Sequence, residues 1–207
     1  MILGGARMIQ IRIHGRGGQG VVTAAELLSL AAFQEGMFAQ AFPSFGSERM
    51  GAPVMAYCRM DPHPIRSREP VFHPDGLLIQ DSTLLHHVDV FDGITPQATV
   101  LINSTRSIDQ LGLRDYIHEH AGIRMMTMPA SDIAVKHLGR PIANVALVAG
   151  YAALSGVMTL ASLTYALAER FSGEMGQNNM KVADEAYHFM ESRMHDAAMI
   201  GNTEAKP

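Results

Sequence analysis

Residues 8–13, "MIQIRI", lead without interruption into residues 14–20, "HGRGGQG", and then into residues 21–33, "VVTAAELLSLAAF". The first run alternates Ile9, Ile11 and Ile13 with Gln10 and Arg12, the two-residue period of a strand with one apolar face and one that needs polar company. In the third run Thr23, Glu26 and Ser29 fall three apart on a narrow polar stripe, which predicts a mostly buried helix over 21–35 that stops at Gly36. Strand, glycine loop, helix is the opening of an α/β unit. Gly15, Gly17 and Gly20 match G-x-G-x-x-G in that setting, where backbone N–H groups and the positive end of the helix face outward toward an anion. A nicotinamide site also needs a carboxylate about 20 residues on, and the corresponding strand "MFAQAF" (37–42) offers Gln40 instead. A nucleoside-triphosphate loop needs Lys where Val21 stands. The loop therefore reads either as a seat for a phosphate or carboxylate, or as glycines that only permit a tight turn and close helix packing.

The rest of the chain continues the α/β order. "VMAYCRMDPHPIRSR" (54–68) reads as a strand, a proline turn and an arm, and "DGLLIQD" (75–81), "ATVLINS" (98–104) and "IRMMTMPA" (123–130) as strands. Helices are predicted from Pro141, from a Thr159 N-cap, and over 179–197 with Ala183, Tyr187, Met190 and Met194 on one face. Strands alternating with helices predict a Rossmann-like open sheet with a substantial parallel part, flanked by helices, with an additional C-terminal helical segment. With 207 residues the reading is one domain over 8–197, preceded by an extension, 1–7, and followed by a loose tail, 198–207.

The formal net charge of −4 gives no reason to expect nucleic acid or an anionic membrane as partner. The N-terminus lacks the pattern of a secretory signal and no apolar run is long enough to insert into a membrane, so a cytoplasmic location is expected. One cysteine, Cys58, excludes an intrachain disulfide and cannot supply the four thiolates of an iron–sulfur cluster. His86 with His87, and His118 with His120, lack a third ligand at metal-binding spacing and read as surface histidines, so no metal site is expected. Ser44 and Ser47 lack the nucleophile elbow, so no catalytic residue is assigned. Arg16, Arg49, Arg66 and Arg68 carry the planar forks that hold phosphates or carboxylates, or else serve as solvated or interface arginines.

Four segments, "IRIHGRGGQGVVTAAELL" (11–28), "AFPSFGSERMGAPV" (41–54), "PIRSREPVFHPDGLLIQDSTLL" (64–85) and "VLINS" (100–104), stand in an order and spacing that resemble the γ subunit, or γ domain, of the 2-oxoacid:ferredoxin oxidoreductases, the pyruvate synthase type included. "GRPIANVALVAG" (139–150) and the terminal helix fit more loosely, and Met50 stands where relatives usually carry a second basic residue. The resemblance implies a subunit of an enzyme that oxidatively decarboxylates a 2-oxoacid such as pyruvate to an acyl-CoA and passes electrons to ferredoxin or a related acceptor. It implies partner subunits of α, β and δ type, with thiamine diphosphate and Mg, [4Fe-4S] clusters and coenzyme A in the complex rather than held by this chain alone. The chain is then inactive by itself, completes the complex and helps form the coenzyme A approach. Gly15, Arg16, Gly17, Gly18, Gln19, Gly20, Ser47 and Arg49 are the candidate binding residues. A ligand-free scaffold subunit and a free-standing NAD(P)-binding dehydrogenase are the alternatives. The nearly all-apolar helix after the loop adds the expectation of a large subunit interface.

Overall fold

A computed structural model describes residues 7–44 and 50–204; Ser47 and Arg49 lie outside the described residues. Six strands form one sheet in the order β2-β3-β1-β4-β5-β6, where β1 is Ile9–Arg16, β2 Phe38–Pro43, β3 Pro53–Asp61, β4 Gly76–Ile79, β5 Thr99–Asn103 and β6 Arg124–Met128. β1, β4, β5 and β6 run parallel, and β3 pairs antiparallel with both β1 and β2. The carboxyl ends of the parallel strands thus lie at one rim, where the glycine loop follows β1.

Helix α1 (Val21–Gln34) returns the chain from that rim and buries Val21, Ala24, Ala25, Leu27, Leu28, Ala31 and Ala32. Most of its apolar surface is covered within the chain, by β2 and β3 on one side and by α4 (Asn144–Ser155) and α5 (Leu160–Arg170) on the other, while Phe33 near its end stays exposed. Four alanines among its buried residues let both layers approach closely. Thr159 caps α5 as the sequence predicts: its hydroxyl accepts from the Ser162 N–H at 3.2 Å, while its own N–H and hydroxyl donate to Glu35 at 2.9 and 2.7 Å. The end of α1 is thereby tied to the start of α5.

α4 begins three residues after Pro141, at Asn144, and is buried on nearly every side between the sheet and α6 (Gly173–Glu204). α6 starts earlier and ends later than the 179–197 expected, about 48 Å of helix at 1.5 Å per residue. Ala183 and Met190 on it are fully buried. Two helices escaped the sequence reading, α2 (Arg114–Glu119) and α3 (Ala130–Leu138). Together α1, α3, α4, α5 and α6 cover one face of the sheet over Ile11, Ile13, Leu78, Leu101 and Met128. On the other face Leu77, Ile79, Val100 and Ile102 pack against Leu84, Val90, Leu111 and Ile123. Beyond β4, Arg12 of β1 and Arg59 of β3 continue that face with polar side chains, Arg12 held by the segment between β4 and β5 and Arg59 by the segment between β3 and β4. Among the described residues no helix is long and apolar enough to cross a membrane.

Candidate functional site

β1 ends by turning into a loop that is held from three directions. The Gly17 N–H donates to the Ala52 carbonyl at 2.9 Å and the Gly17 carbonyl accepts from the Gly51 N–H at 3.1 Å, which fastens the loop to the segment before β3. The Gln19 N–H closes a turn onto the Arg16 carbonyl, and the Gln19 side-chain oxygen accepts from the Arg16 N–H at 2.8 Å. Gly18 and Gly20 have φ of 92° and 73°, left-handed values that side chains beyond glycine rarely adopt, and Gly20 is the N-cap of α1. Gly15 serves packing instead, because a Cβ there would lie 2.6 Å from Val21 Cγ2 and 3.1 Å from the side-chain oxygen of Gln80.

The arginine of the loop is engaged within the chain. Arg16 Nε donates to Asp81 at 3.0 Å, Nη1 to the Gly51 carbonyl at 3.1 Å and Nη2 to the Thr83 hydroxyl at 2.8 Å. Burial works to raise the Asp81 pKa, but hydrogen bonds from Thr83 and Gln19 and the charge of Arg16 outweigh it and leave the carboxyl below its ordinary value. Arg16 and Gln19 therefore lock the loop to the end of β4. Of the donors that the sequence reading gave to a ligand, the Gly17 and Gln19 N–H groups are likewise used internally. The N–H groups of Gly18, Gly20, Val21 and Val22 meet no acceptor among the described residues.

Gly18 and Gly20 edge a pocket of about 230 Å³ that is lined also by Thr23, Arg140, Asn144 and Asn179 and by the apolar Leu138, Ile142, Phe171 and Met175. Three helices, α1, α4 and α6, start at its wall. Each contributes the partial positive charge of an N-terminus. The Asn144 side chain donates to the Gly20 carbonyl at 3.3 Å and so couples the start of α4 to the loop. Arg140 is exposed and has no carboxylate partner among the described residues. It was absent from the sequence-based candidates, although the segment "GRPIAN" that contains it carried part of the resemblance. Arg66 and Arg68 are exposed on the arm between β3 and β4, away from the pocket's lining. His86, His87, His118 and His120 are exposed, in agreement with their reading as surface residues.

Two buried polar groups flank the loop without partners among the described residues. Gln80, at the end of β4, has neither side-chain oxygen nor nitrogen paired, and His14 has no partner for Nε2. Burial, with a smaller contribution from the Arg12 charge, pushes the His14 pKa down to about 3, so this imidazole is neutral near pH 7 and is no general acid there. Cys58 is fully buried in β3 and burial pushes its thiol pKa up, which makes it a small apolar residue rather than a nucleophile. Among the described residues no three His, Cys, Asp or Glu side chains are grouped to hold a metal.

The family model for pyruvate ferredoxin/flavodoxin oxidoreductase matches residues 10–189. The pyruvate synthase subunit PorC of Methanocaldococcus jannaschii is 43% identical over 88% of this chain and 97% of its own length. The common γ subunit of the pyruvate/ketoisovalerate oxidoreductases of Thermococcus kodakarensis is 42% identical over 87% of this chain and 96% of its own. Among solved structures, the pyruvate oxidoreductase subunit PORC of Thermotoga maritima superposes with a TM-score of 0.72 at 27% identity, over 87% of this chain and 96% of that one. At 15% identity the 2-oxoglutarate:ferredoxin oxidoreductase of Magnetococcus marinus, solved with 2-oxoglutarate, coenzyme A and succinyl-CoA, shares the fold with a TM-score of 0.67 over 89% of this chain and 31% of that one.

Proposed function

The chain belongs to the pyruvate ferredoxin/flavodoxin oxidoreductase family, as a γ-type subunit of a multisubunit 2-oxoacid oxidoreductase, and we propose that its share of the reaction is to seat an anionic group of coenzyme A at the rim of its sheet. The complex decarboxylates a 2-oxoacid, delivers the acyl group to coenzyme A and hands the electrons to ferredoxin or a related acceptor. Thiamine diphosphate and the iron–sulfur clusters belong to companion subunits of α, β and δ type in this reading. A chain with one cysteine, buried and held as the thiol, does not fit a cluster site, and no step of the chemistry is assigned to it. Its residues bind and orient.

The observation that carries the reading is the convergence of the starts of α1, α4 and α6 on one small pocket beside the unpaired Arg140. One helix terminus favours a nearby anion by about 0.3–1 kcal/mol when exposed, and about 2 when partly buried. Charge-assisted hydrogen bonds from a guanidinium contribute about 1.5–3 kcal/mol each. Together these seat a phosphate, whereas the loop by itself only orients one. Ser47 and Arg49 remain candidate contributors from the segment next to Met50, and Arg16 contributes by fixing the loop rather than by touching the ligand.

Steady-state kinetics on the reconstituted complex test this. Arg140→Ala should raise KM for coenzyme A roughly 10-fold, about 1.4 kcal/mol, leave KM for the 2-oxoacid unchanged, and lose its effect as salt rises. Gly18→Val should act in the same direction, since the left-handed backbone is strained by any side chain. Variants that assemble and keep wild-type coenzyme A kinetics overturn the ligand reading, and a Gly18 variant that fails to assemble favours the reading in which the glycines only pack.

A further inference from the structure

β6 is the last strand of the sheet, and among the described residues no strand pairs with its outer edge, although Met125 and Thr127 themselves are mostly buried in the groove there. The Arg124 N–H donates to the Ala98 carbonyl and the Met128 carbonyl accepts from the Ser104 N–H, so residues 124, 126 and 128 face β5. By the alternation of a parallel ladder, the N–H and C=O groups of Met125 and Thr127 point away from the sheet, and they meet no partner among the described residues. Natural sheets protect such an edge with proline, a bulge or charges along the strand. The opposite edge strand, β2, ends in Pro43, whereas β6 has one charge, Arg124, at its start and a proline, Pro129, only after its last residue, so Met125 to Met128 carry neither device. Beside it runs a groove of about 690 Å³, walled by Ile108 and Ile117 on one side and by Arg193, Met194 and Ala197 of α6 on the other. Two walls, an apolar floor and a row of unused backbone donors and acceptors are what an added strand needs.

We propose that an extended segment of a companion subunit, carrying apolar residues and at least one carboxylate, docks in this groove as a seventh strand paired to β6. The charge of the groove selects the occupant. Arg124 and Arg193 line it without a carboxylate partner among the described residues, Arg124 donating only to the Thr99 hydroxyl at 3.5 Å. The one acidic residue of the lining, Asp109, is already held by Arg114. A second copy of this chain pairing through its own β6 would bring four arginines to one seam with no free acid to meet them, which disfavours it. The inference rests on the chain working inside a complex, but not on the coenzyme A site.

Hydrogen exchange on the isolated chain and on the assembled complex tests it. Assembly should slow exchange of the Met125 and Thr127 amides at least 10-fold. Arg193→Glu, an exposed change on α6, should raise the concentration of this chain needed for half-maximal reconstitution about 10-fold at low salt and less at high salt, with KM for coenzyme A unchanged. Thr127→Pro removes an outward N–H that has no partner among the described residues, and should weaken assembly in the same way if its melting temperature stays near wild type. Unchanged exchange at β6 on assembly, or wild-type assembly of the Arg193 variant, overturns the proposal. So does protection of β6 in a dimer of the isolated chain, or protection on adding coenzyme A or pyruvate alone to it, which would make the groove a self-association seam or a small-molecule pocket.

Discussion

Ile11 and Ile13 leave β1 on one side of the sheet and Arg12 and His14 on the other, yet all four are buried. The first side is closed by helices bringing mainly methyl groups and alanines, the Tyr151 hydroxyl against Gly76 being a buried polar exception. The second is apolar across β4 and β5, but around β1 and β3 it is closed by irregular chain bringing carbonyls. Arg12 Nη2 donates to the carbonyls of Val90 at 2.9 Å and Asp92 at 2.6 Å, and Arg59, on β3, donates through Nη2 to those of Glu69 at 2.6 Å and Pro70 at 3.2 Å. The bonding is incomplete: Arg12 Nε, His14 Nε2 and Arg59 Nη1 are buried with no partner among the described residues. Apolar burial is insensitive to direction and to pH, whereas buried guanidinium and imidazole groups bond only along fixed directions and respond to protonation. One sheet thus carries a face that resists perturbation and a face that can be opened or titrated.

The largest effect should come from the resistant face. Ile13 is fully buried beneath the helices, and Ile13→Ala removes contacts that the packed surroundings cannot restore, so about 2–5 kcal/mol of stability should be lost at any pH between 5 and 8. Urea unfolding of wild type and variant measures it. A loss below about 1 kcal/mol would mean that the layer collapses onto the gap, and the contrast between the faces would fail.

His14 should make the other face acid-sensitive. Its folded-state pKa is about 3 against an ordinary value of 6.5, with burial as the main cause and the Arg12 charge second. Above pH 6.5 both folded and unfolded chains hold the neutral ring and stability does not depend on it. As pH falls below that value the unfolded chain takes up a proton that the folded chain refuses, so stability drops by about 1.4 kcal/mol per pH unit, or about 2 kcal/mol by pH 5. In His14→Gln this slope should disappear, leaving only the dependence shared with the other groups. Parallel stability–pH curves for wild type and variant would show that the charged His14 ring finds hydrogen-bond acceptors or solvent as the face breathes.

The resistant face was the legible one. Alternation at Ile9, Ile11 and Ile13, the narrow polar stripe on α1 and the glycine loop between them carry their meaning in local spacing, and the Thr159 cap is a local signal too. α3 was missed although Pro129 precedes it and Gly139, left-handed at φ 67°, ends it, because nine residues are too few for a clear apolar period. The burial of Arg12 could not be read, since the carbonyls that hold it lie 78 and 80 residues away. The candidate site shows the same limit. Its glycines were found by pattern, but Arg140 enters the candidate site only because the fold brings the starts of three helices to it, and Arg16, the obvious cation by sequence, is paired with Asp81 from another strand end.

The smallest global effect, and the sharpest test of how the second face is closed, should come from Arg59. Its Nε donates to the Gln10 side chain at 3.1 Å, its Nη2 holds the arm at Glu69 and Pro70, and its guanidinium lies 5.1 Å from the centre of the Phe42 ring. Burial lowers its pKa, with the Glu69 charge opposing, so part of what its hydrogen bonds contribute is offset by desolvation. Arg59→Met removes the charge and the desolvation together, and the change in global stability should stay within about 1 kcal/mol. The arm, however, loses its two hydrogen bonds to charged nitrogen, contributing about 1.5–3 kcal/mol each against local opening. Arg66 and Arg68 are exposed on that arm and are sites for trypsin. Native-state trypsin cleavage after them should therefore speed up at least 10-fold in the variant, while its urea midpoint barely moves. Equal cleavage rates would show that Val71 and Pro74, the buried residues of the arm, hold it without help from Arg59, and that the second face is closed by apolar contact after all.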